Sequence, residues 1–268
     1  MFVDAVGKSH PVAGADARII SLVPSITELL FALGLKNNVV GRTGFCVHPK
    51  QALRTVPKLG GTKDVDVDAL FALEPTHVIV NIDENERPLY ETLLGRVPHV
   101  VVTHPNAPED NLELYRLLGG IFAREAEATR LCAEFDEALR ALKAASDTCA
   151  RQRVLYLIWR EPWMTVSEDT YIAKTLRLVG WECVVTGVPA RYPEISEPDI
   201  VAARPDLVLL STEPYPFRAK HAAELERLCP NARVSLIDGE MISWYGNRAI
   251  KGLAYLRDFA ADTVRSAA

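Results

Sequence analysis

Short apolar runs alternate along the chain with stretches of helical periodicity. Such alternation predicts an α/β protein. The apolar runs are rich in β-branched residues and nearly continuous, which is typical of parallel strands covered on both faces. The predicted strands span residues 18–23, 39–43, 77–81, 99–103, 153–158, 182–185, 206–211 and 233–238.

The chain repeats part of its own pattern. ALFALEPTHVIV (69–80) aligns with DIVAARPDLVLL (199–210), and each copy predicts the end of a helix, a proline and a buried strand. Likewise, IISLV before SITELLFALG is similar to VLYLI before DTYIAKTLRLVG, with a longer loop in the second copy. Because the order and spacing of these matches are kept, we interpret the chain as two Rossmann-like lobes built on one plan, each with a central, mainly parallel sheet.

A long helix is predicted between the two halves. Residues 124–147 contain no proline and no glycine, and Leu131, Phe135 and Leu142 recur at helical spacing. A helix of roughly 25 residues would be about 37 Å long. We interpret it as a rigid backbone helix over 119–149, which joins an N-terminal lobe (1–118) to a C-terminal lobe (150–268).

Composition narrows the class of protein. The 268 residues are 49% hydrophobic and 24% charged, with a net charge of -5 and no basic run, which argues against nucleic acid as a partner. The five cysteines form no CxxC pair, so we expect reduced, mostly buried thiols.

No leader is visible at the start. We therefore expect a periplasmic protein if a leader was removed and a cytoplasmic one if the chain is complete, and in either case a monomer.

Catalytic signatures are missing from the sequence. It contains no GxSxG, HExxH, GxxxxGK[ST] or GxGxxG motif. We therefore expect a binding protein with no catalytic residues and no catalytic cofactor. An enzyme that acts in the cytosol remains an alternative, and its candidate acids or bases would be Glu161, Glu168, Asp169 and Glu240.

Aromatic residues follow the carboxyl ends of the predicted strands. In open α/β sheets this edge is where ligands bind. Flat, rigid side chains at this edge would provide apolar walls for a large ligand. The aromatic residues in these loops are Phe45, Trp159, Trp163, Tyr192, Tyr215, Phe217, Trp244 and Tyr245.

Histidines offer a second interpretation. His48 and His104 fall in predicted loops, and Asp238 ends a strand. Residues of these types at strand ends can converge on a transition metal. The alternative is therefore a receptor for a metal ion or a ferric chelate such as a siderophore or haem, with these three residues as ligands.

Four stretches resemble a known family. RIISLVPSITELLFALG, VDALFALEPTHVIV, PEISEPDIVAARPDLVLL and the closing DGEMISWYGNR are similar, in order and spacing, to the helical-backbone solute-binding proteins of ABC importers, and most closely to the cobalamin-binding branch. FVDAVGKSHPVAGADARIISL resembles the short strand and turn that begin mature members. The resemblance implies two lobes joined by one backbone helix, a cobalamin-type corrinoid bound in the cleft between the lobes, and docking to a membrane permease. The alternative within this resemblance is a cytosolic corrinoid-handling protein or enzyme that uses the same cleft.

The resemblance also implies roles for individual residues. Phe45, Trp163 and Tyr192 match aromatic positions of the family, and Glu240 and Trp244 fall in its final ligand-contacting loop. As polar neighbours of these aromatic residues, and apart from the resemblance, Arg191, Glu240 and Arg248 are expected to orient amide or carboxylate groups of the ligand. The full set of predicted ligand-binding residues is Phe45, Trp159, Trp163, Tyr192, Tyr215, Glu240, Trp244 and Arg248.

Two acidic residues are implied to dock on the permease. Asp68 fits the family's exposed carboxylate in the first lobe. In the second lobe the usual glutamate position holds Pro198, flanked by Glu197 and Asp199, and Glu197 is the predicted docking residue. The chain departs from the family at Thr62 and Asn81, where aromatics are usual, which opens the wall of the first lobe.

Overall fold

The computed structural model describes residues 1–146, 149–184 and 190–265. Its contacts divide the chain into two compact units. Unit 1 comprises Met1–Pro105, Glu109–Phe135 and Tyr245–Arg248, and unit 2 comprises Asn106–Pro108, Asp136–Trp244 and Ala249–Ala268. Each unit has its own sheet, which confirms the predicted α/β class with two Rossmann-like lobes.

Within the described residues, unit 1 holds a four-stranded parallel sheet in the order β4–β3–β5–β6. Its branched, apolar strand residues form a core with the helices around them. The strands are β3 (Ile19–Ser21), β4 (Val39–Arg42), β5 (His77–Asn81) and β6 (His99–Thr103). The helices are α1 (Pro24–Ala32), α2 (Val67–Ala72), α3 (Arg87–Leu93) and α4 (Asn111–Ile121), with short 3-10 turns at Ala52–Thr55 and Pro108–Asp110.

An antiparallel strand pair at the N-terminus covers the free edge of β6. It consists of β1 (Phe2–Val3) and β2 (Ser9–His10). Just after β1, Asp4 Oδ2 accepts a hydrogen bond from Val102 N at 3.0 Å, and Ala5 N donates to Val102 O at 3.0 Å. The backbone groups of the edge strand are therefore paired here and not left open to another chain.

Unit 2 holds a six-stranded mixed sheet within the described residues, in the order β10–β8–β7–β11–β12, with β9 beside β7. The antiparallel β8 and β10 are not predicted, because strands of two or three residues carry too little periodicity. The strands are β7 (Gln152–Trp159), β8 (Trp163–Thr165), β9 (Trp181–Cys183), β10 (Glu194–Ile195), β11 (Leu207–Ser211) and β12 (Arg233–Ile237). The helices are α6 (Tyr171–Arg177), α7 (Glu197–Ala203), α8 (Ala219–Leu228), α9 (Gly239–Ser243) and α10 (Arg248–Arg265).

The predicted repeat corresponds to a repeated structure. Residues 69–80 form the end of α2 followed by β5, and residues 199–210 form α7 followed by β11. Between helix and strand, each copy has a residue in the left-handed region directly before its proline, Glu74 with φ 46° and Arg204 with φ 45°. This residue ends the helix, and the proline prevents its continuation.

The predicted backbone helix is α5, which runs from Glu125 to Ser146. It begins later than the predicted 119, because α4 extends to Ile121 and Ala123 takes a positive φ of 51° that interrupts the helical backbone. Residues 125–135 belong to unit 1 and residues 136–146 to unit 2. The predicted helix end at 147–149 includes 147 and 148, which lie outside the described residues, as does Val185, the last residue of the predicted strand 182–185.

All five cysteines lie in the described part of the chain and none forms a disulfide. Four are buried and Cys149 is half-buried, in line with the expected buried thiols. None of the described helices combines the length and the apolar character that crossing a membrane requires.

Candidate functional site

The loop after β4 presents the most exposed aromatic ring of unit 1. Phe45 is 63% exposed, and Val47 beside it is exposed as well. The loop backbone is fixed by the buried guanidinium of Arg42, which donates to the carbonyl oxygens of Thr43 at 3.1 Å, Cys46 at 2.9 Å and Leu53 at 3.0 Å. The exposure of Phe45 is therefore a property of an anchored loop.

A neighbouring loop supports the Phe45 ring. Gly44 N donates to Gly60 O, and a Cβ at Gly61 would lie 3.2 Å from the ring of Phe45. Glycine at position 61 thus allows the ring to rest against the backbone. Ile82, which directly follows β5, is also exposed. The carboxyl ends of β4 and β5 therefore carry apolar side chains that no part of the described core covers.

Unit 2 presents two aromatic rings at the carboxyl ends of β7 and β11. Trp159, the last residue of β7, is 39% exposed. Tyr215, four residues after β11, is half-buried and packs edge-on against Trp159 with ring centroids 5.6 Å apart. Because β7 and β11 are adjacent parallel strands, their carboxyl ends bring these two residues together, as the sequence predicted.

Trp163 lies in the core of unit 2. It is 8% exposed, and its ring stacks on Phe217 with centroids 6.1 Å apart. The guanidinium of Arg160 lies 5.3 Å from its ring centroid. Trp163 belongs to β8, a strand the sequence did not predict, and the strand turns the ring inward. A contact between Trp163 and a ligand stays a prediction, and little of the Trp163 ring is exposed.

The segment after β12 carries Glu240 and Trp244. Glu240 is half-buried in the first turn of α9. Trp244 directly follows the last residue of α9 and is 9% exposed. The indole Nε1 of Trp244 donates to Glu213 Oε1 at 2.6 Å. Glu213 is a residue that the sequence did not single out, since an isolated acid in a loop carries no pattern.

The environment of Glu213 is unfavourable for its charge. Burial raises the pKa of its carboxyl to about 7, and the nearby carboxylates of Glu240 and Asp238 act in the same direction. Hydrogen bonds from Ser243 and Trp244 lower the pKa but do not outweigh these effects. Glu213 therefore titrates near neutral pH, far above the usual range of a glutamate.

Two predicted polar ligand contacts are engaged with protein groups. Arg248 Nε donates to Glu28 Oε2 at 2.8 Å within unit 1, and both side chains are mostly buried. Arg191 donates to Asp169 Oδ2 at 3.1 Å and to Asn106 Oδ1 at 2.8 Å within unit 2. Tyr192, beside Arg191, is half-buried.

The predicted docking residues both lie at helix starts. Asp68 is exposed in the first turn of α2, whose N-cap Asp66 accepts a hydrogen bond from Ala69 N. Glu197 is exposed in the first turn of α7, which begins with a capping box formed by Ser196 and Asp199. Carboxylates are stabilised at these positions by the unpaired N–H groups of the helix start.

The alternative metal ligands do not find support in the described residues. These contain no group of three or more His, Cys, Asp or Glu that could hold a metal ion. Asp238 accepts from Met241 N and caps α9, and His104 Nε2 lies 3.6 Å from Asp83 Oδ2. His48 is half-buried in the loop that carries Phe45.

The known proteins that are similar to this chain, in sequence or in fold, are binding proteins. Vitamin B12-binding proteins from Photorhabdus laumondii (22% identical, covering 76% of this chain and 74% of the relative) and Vibrio parahaemolyticus (24% identical, covering 72% and 70%) are similar in sequence. Two solved structures share the fold. They are the periplasmic vitamin B12-binding protein of Vibrio cholerae (TM-score 0.80, 16% identity, covering 91% of this chain and 96% of that one) and the periplasmic haem-binding protein of Roseiflexus sp. RS-1 (TM-score 0.77, 20% identity, covering 92% and 98%).

The family model described as "Periplasmic binding protein" matches residues 19–231. This span takes in most of both units and both copies of the internal repeat. The expectation of a binding protein and not an enzyme is therefore confirmed at the level of the family. The chain belongs to the periplasmic binding protein family, the substrate-binding components of ABC importers.

Proposed function

We propose that this protein binds a cobalamin-type corrinoid for import, through the aromatic side chains at the carboxyl ends of its strands. The observation that carries the proposal is the exposure of Phe45 in unit 1 and of Trp159, paired with Tyr215, in unit 2. Each lies where ligands bind in open α/β sheets. An exposed ring on an anchored loop offers apolar area without the cost of ordering it on binding.

The relatives support this ligand class. The vitamin B12-binding proteins of Photorhabdus laumondii and Vibrio parahaemolyticus align over about three quarters of the chain. A corrinoid is large and largely apolar over its faces, so stacked aromatic walls suit it. At about 25 cal/mol per Å² of apolar area, burying such faces supplies several kcal/mol before the costs of association.

Haem is the second candidate. The haem-binding protein of Roseiflexus sp. RS-1 shares the fold to a similar degree, and an imidazole is an axial ligand of haem iron in many proteins. His48 stands three residues after Phe45 in the same anchored loop. A haem ring packed on Phe45 with His48 on its iron would explain both residues.

Calorimetric titration of the purified protein with cyanocobalamin, and separately with haemin, tests both candidates. The corrinoid proposal expects one-to-one binding of cyanocobalamin that weakens about tenfold in Phe45→Ala and in Trp159→Ala, the loss of about 1.4 kcal/mol of contact free energy in each case. Leu94→Ala, which truncates an exposed apolar side chain at the end of α3, is the matched control and leaves affinity unchanged.

The outcomes separate the two ligands. Binding of haemin alone, lost in His48→Ala, would favour the haem candidate and reject the corrinoid. Binding of cyanocobalamin that is equally strong in the Phe45 and Trp159 variants would reject the aromatic surfaces as its site. Thermal unfolding of each variant establishes that a loss of affinity does not come from a loss of fold.

A further inference from the structure

The carboxyl of Glu213 connects two segments of unit 2. Glu213 lies in the loop after β11, the loop that also carries Tyr215. Its Oε1 accepts hydrogen bonds from Trp244 Nε1 at 2.6 Å and from Ser243 Oγ at 3.1 Å. Both donors belong to the segment after β12, at the end of α9. One oxygen atom therefore holds the Trp244 side chain in its orientation.

The backbones of the same two segments also pack closely. Gly239 N donates to Thr212 Oγ1 at 3.0 Å, and Thr212 N donates to Ile237 O at 3.0 Å. A Cβ at Gly239 would lie 2.6 Å from Glu213 Cγ, closer than real side chains approach. Glu213 is thus confined against segment 239–244 with little room to move while the contact persists.

The charges that act most strongly on Glu213 have the same sign as its carboxylate. After the larger effect of burial, the carboxylates of Glu240 and Asp238, both in the segment after β12, also raise the pKa of Glu213. Burial raises the pKa of the Tyr156 phenol, on β7, and the charge of Glu213 raises it further. The Tyr156 hydroxyl donates a hydrogen bond to Ser211 Oγ. Among the described residues, no lysine or arginine forms a hydrogen bond or ion pair with Glu213. Ionisation thus adds one more negative charge to a site already flanked by two.

We propose that Glu213 is a positioning residue whose protonation holds Trp244 in place and whose ionisation releases the segment after β12. The inference rests on the proposed function in one respect: with Trp244 as a ligand contact, ligand affinity falls as pH rises through neutrality. Neutral Glu213 keeps both hydrogen bonds at Oε1 and meets no repulsion from Asp238 or Glu240. Ionised Glu213 is repelled by both and is better solvated outside this contact.

The direction of this pH dependence follows from the effects that raise and lower the pKa of the Glu213 carboxyl. Its pKa is raised to about 7, so the contact seen here favours the neutral form in spite of the two hydrogen bonds that favour the charge. Any rearrangement that exposes Glu213 to water restores a lower pKa. By linkage, that rearrangement becomes more favourable as pH rises from the usual glutamate range to about pH 7, and above this value the gain is complete.

The first test needs no ligand. Tryptophan fluorescence of the ligand-free protein is followed from pH 5.5 to 8.5, and Trp244→Phe identifies the contribution of Trp244. We expect a transition near pH 7 that is lost in Trp244→Phe and in Glu213→Gln, since glutamine keeps the acceptor oxygen but cannot ionise. Glu226→Gln, a change at an exposed carboxylate of α8, is the matched control and keeps the transition. A transition that persists in Glu213→Gln, or that is missing from the wild type, overturns the inference.

The second test measures affinity for cyanocobalamin, whose own charge does not change over this range, at pH 6 and pH 8. If the ligand binds the form with neutral Glu213, the apparent Kd rises about tenfold between these values, because the neutral fraction falls about tenfold. Glu213→Gln removes that dependence. Equal wild-type affinity at both values overturns the link to binding. A protein that shows the fluorescence transition but binds no cyanocobalamin rejects the proposed ligand and supports the role of Glu213.

Discussion

At the scale of single residues, charged side chains near the candidate surfaces are mostly committed to one another. Arg248 is paired with Glu28, and Arg191 and Lys174 converge on Asp169. The hydrogen bonds from Lys174 and Asn106, together with the charge of Arg191, lower the pKa of Asp169 to about 2. These arginines therefore stabilise the protein's own loops, while the rings of Phe45 and Trp159 stay exposed.

The pair of Arg248 and Glu28 gives a prediction for stability. Arg248→Met leaves a mostly buried carboxylate without its partner, and we expect it to lower the free energy of unfolding by about 3 kcal/mol in urea titration. Arg257→Met removes an exposed arginine that pairs with the adjacent Asp258, and it should change stability by less than about 0.5 kcal/mol. If Arg248→Met unfolds like the control but loses ligand affinity, Arg248 is a ligand contact and not a structural one.

At the scale of elements, each of the two repeated helices carries one predicted docking carboxylate near its start. Asp68 and Glu197 stand in the first turns of α2 and α7, the helices of the repeat. Each helix is short, so its start depends on a capping side chain more than on propensity. The cap therefore fixes where the exposed carboxylate lies.

The capping box of α7 can be tested directly. Ser196→Ala removes the acceptor for Asp199 N and the donor to Asp199 Oδ2, and we expect a loss of about 1 kcal/mol in the free energy of unfolding. Ser146→Ala, at the last residue of α5, is the matched control and should cost less than about 0.5 kcal/mol. Equal effects of the two substitutions would show that the capping box does not determine the start of α7.

At the scale of the whole molecule, the chain carries a net charge of -5 and one predicted docking carboxylate in each unit. As a substrate-binding component of an importer, it must meet a membrane permease. Opposite charges on two partners speed their encounter more than they tighten the complex. We propose that Asp68 and Glu197 act in this way.

Association with the importer's permease in nanodiscs measures this effect. Asp68→Asn and Glu197→Gln should each slow association at low salt by about threefold or more, with ligand affinity unchanged, and the difference from wild type should shrink at high salt. Glu182→Gln, which neutralises an exposed carboxylate on β9, serves as the control. Slowing by the control to the same extent would mean that net charge, and not these two positions, governs the encounter.

The sequence by itself determined the features that depend on local pattern. The strands 77–81 and 99–103 are read correctly to the residue, because buried parallel strands are continuous apolar runs bounded by helix ends. The repeat, the backbone helix and the family follow from the same local signals. Phe45, Trp159 and Tyr215 could be placed at the carboxyl edges because a residue that follows a predicted strand must lie there.

The tertiary structure decided which side chains are buried and which are paired. Trp163 and Trp159 look alike in the sequence, yet the short strand β8 turns one ring into the core and leaves the other exposed. Arg248 meets Glu28 across 220 positions of sequence, and Glu213 meets Trp244 across 31. Contacts between residues so far apart leave no periodic signal, because they arise only when separate elements pack together.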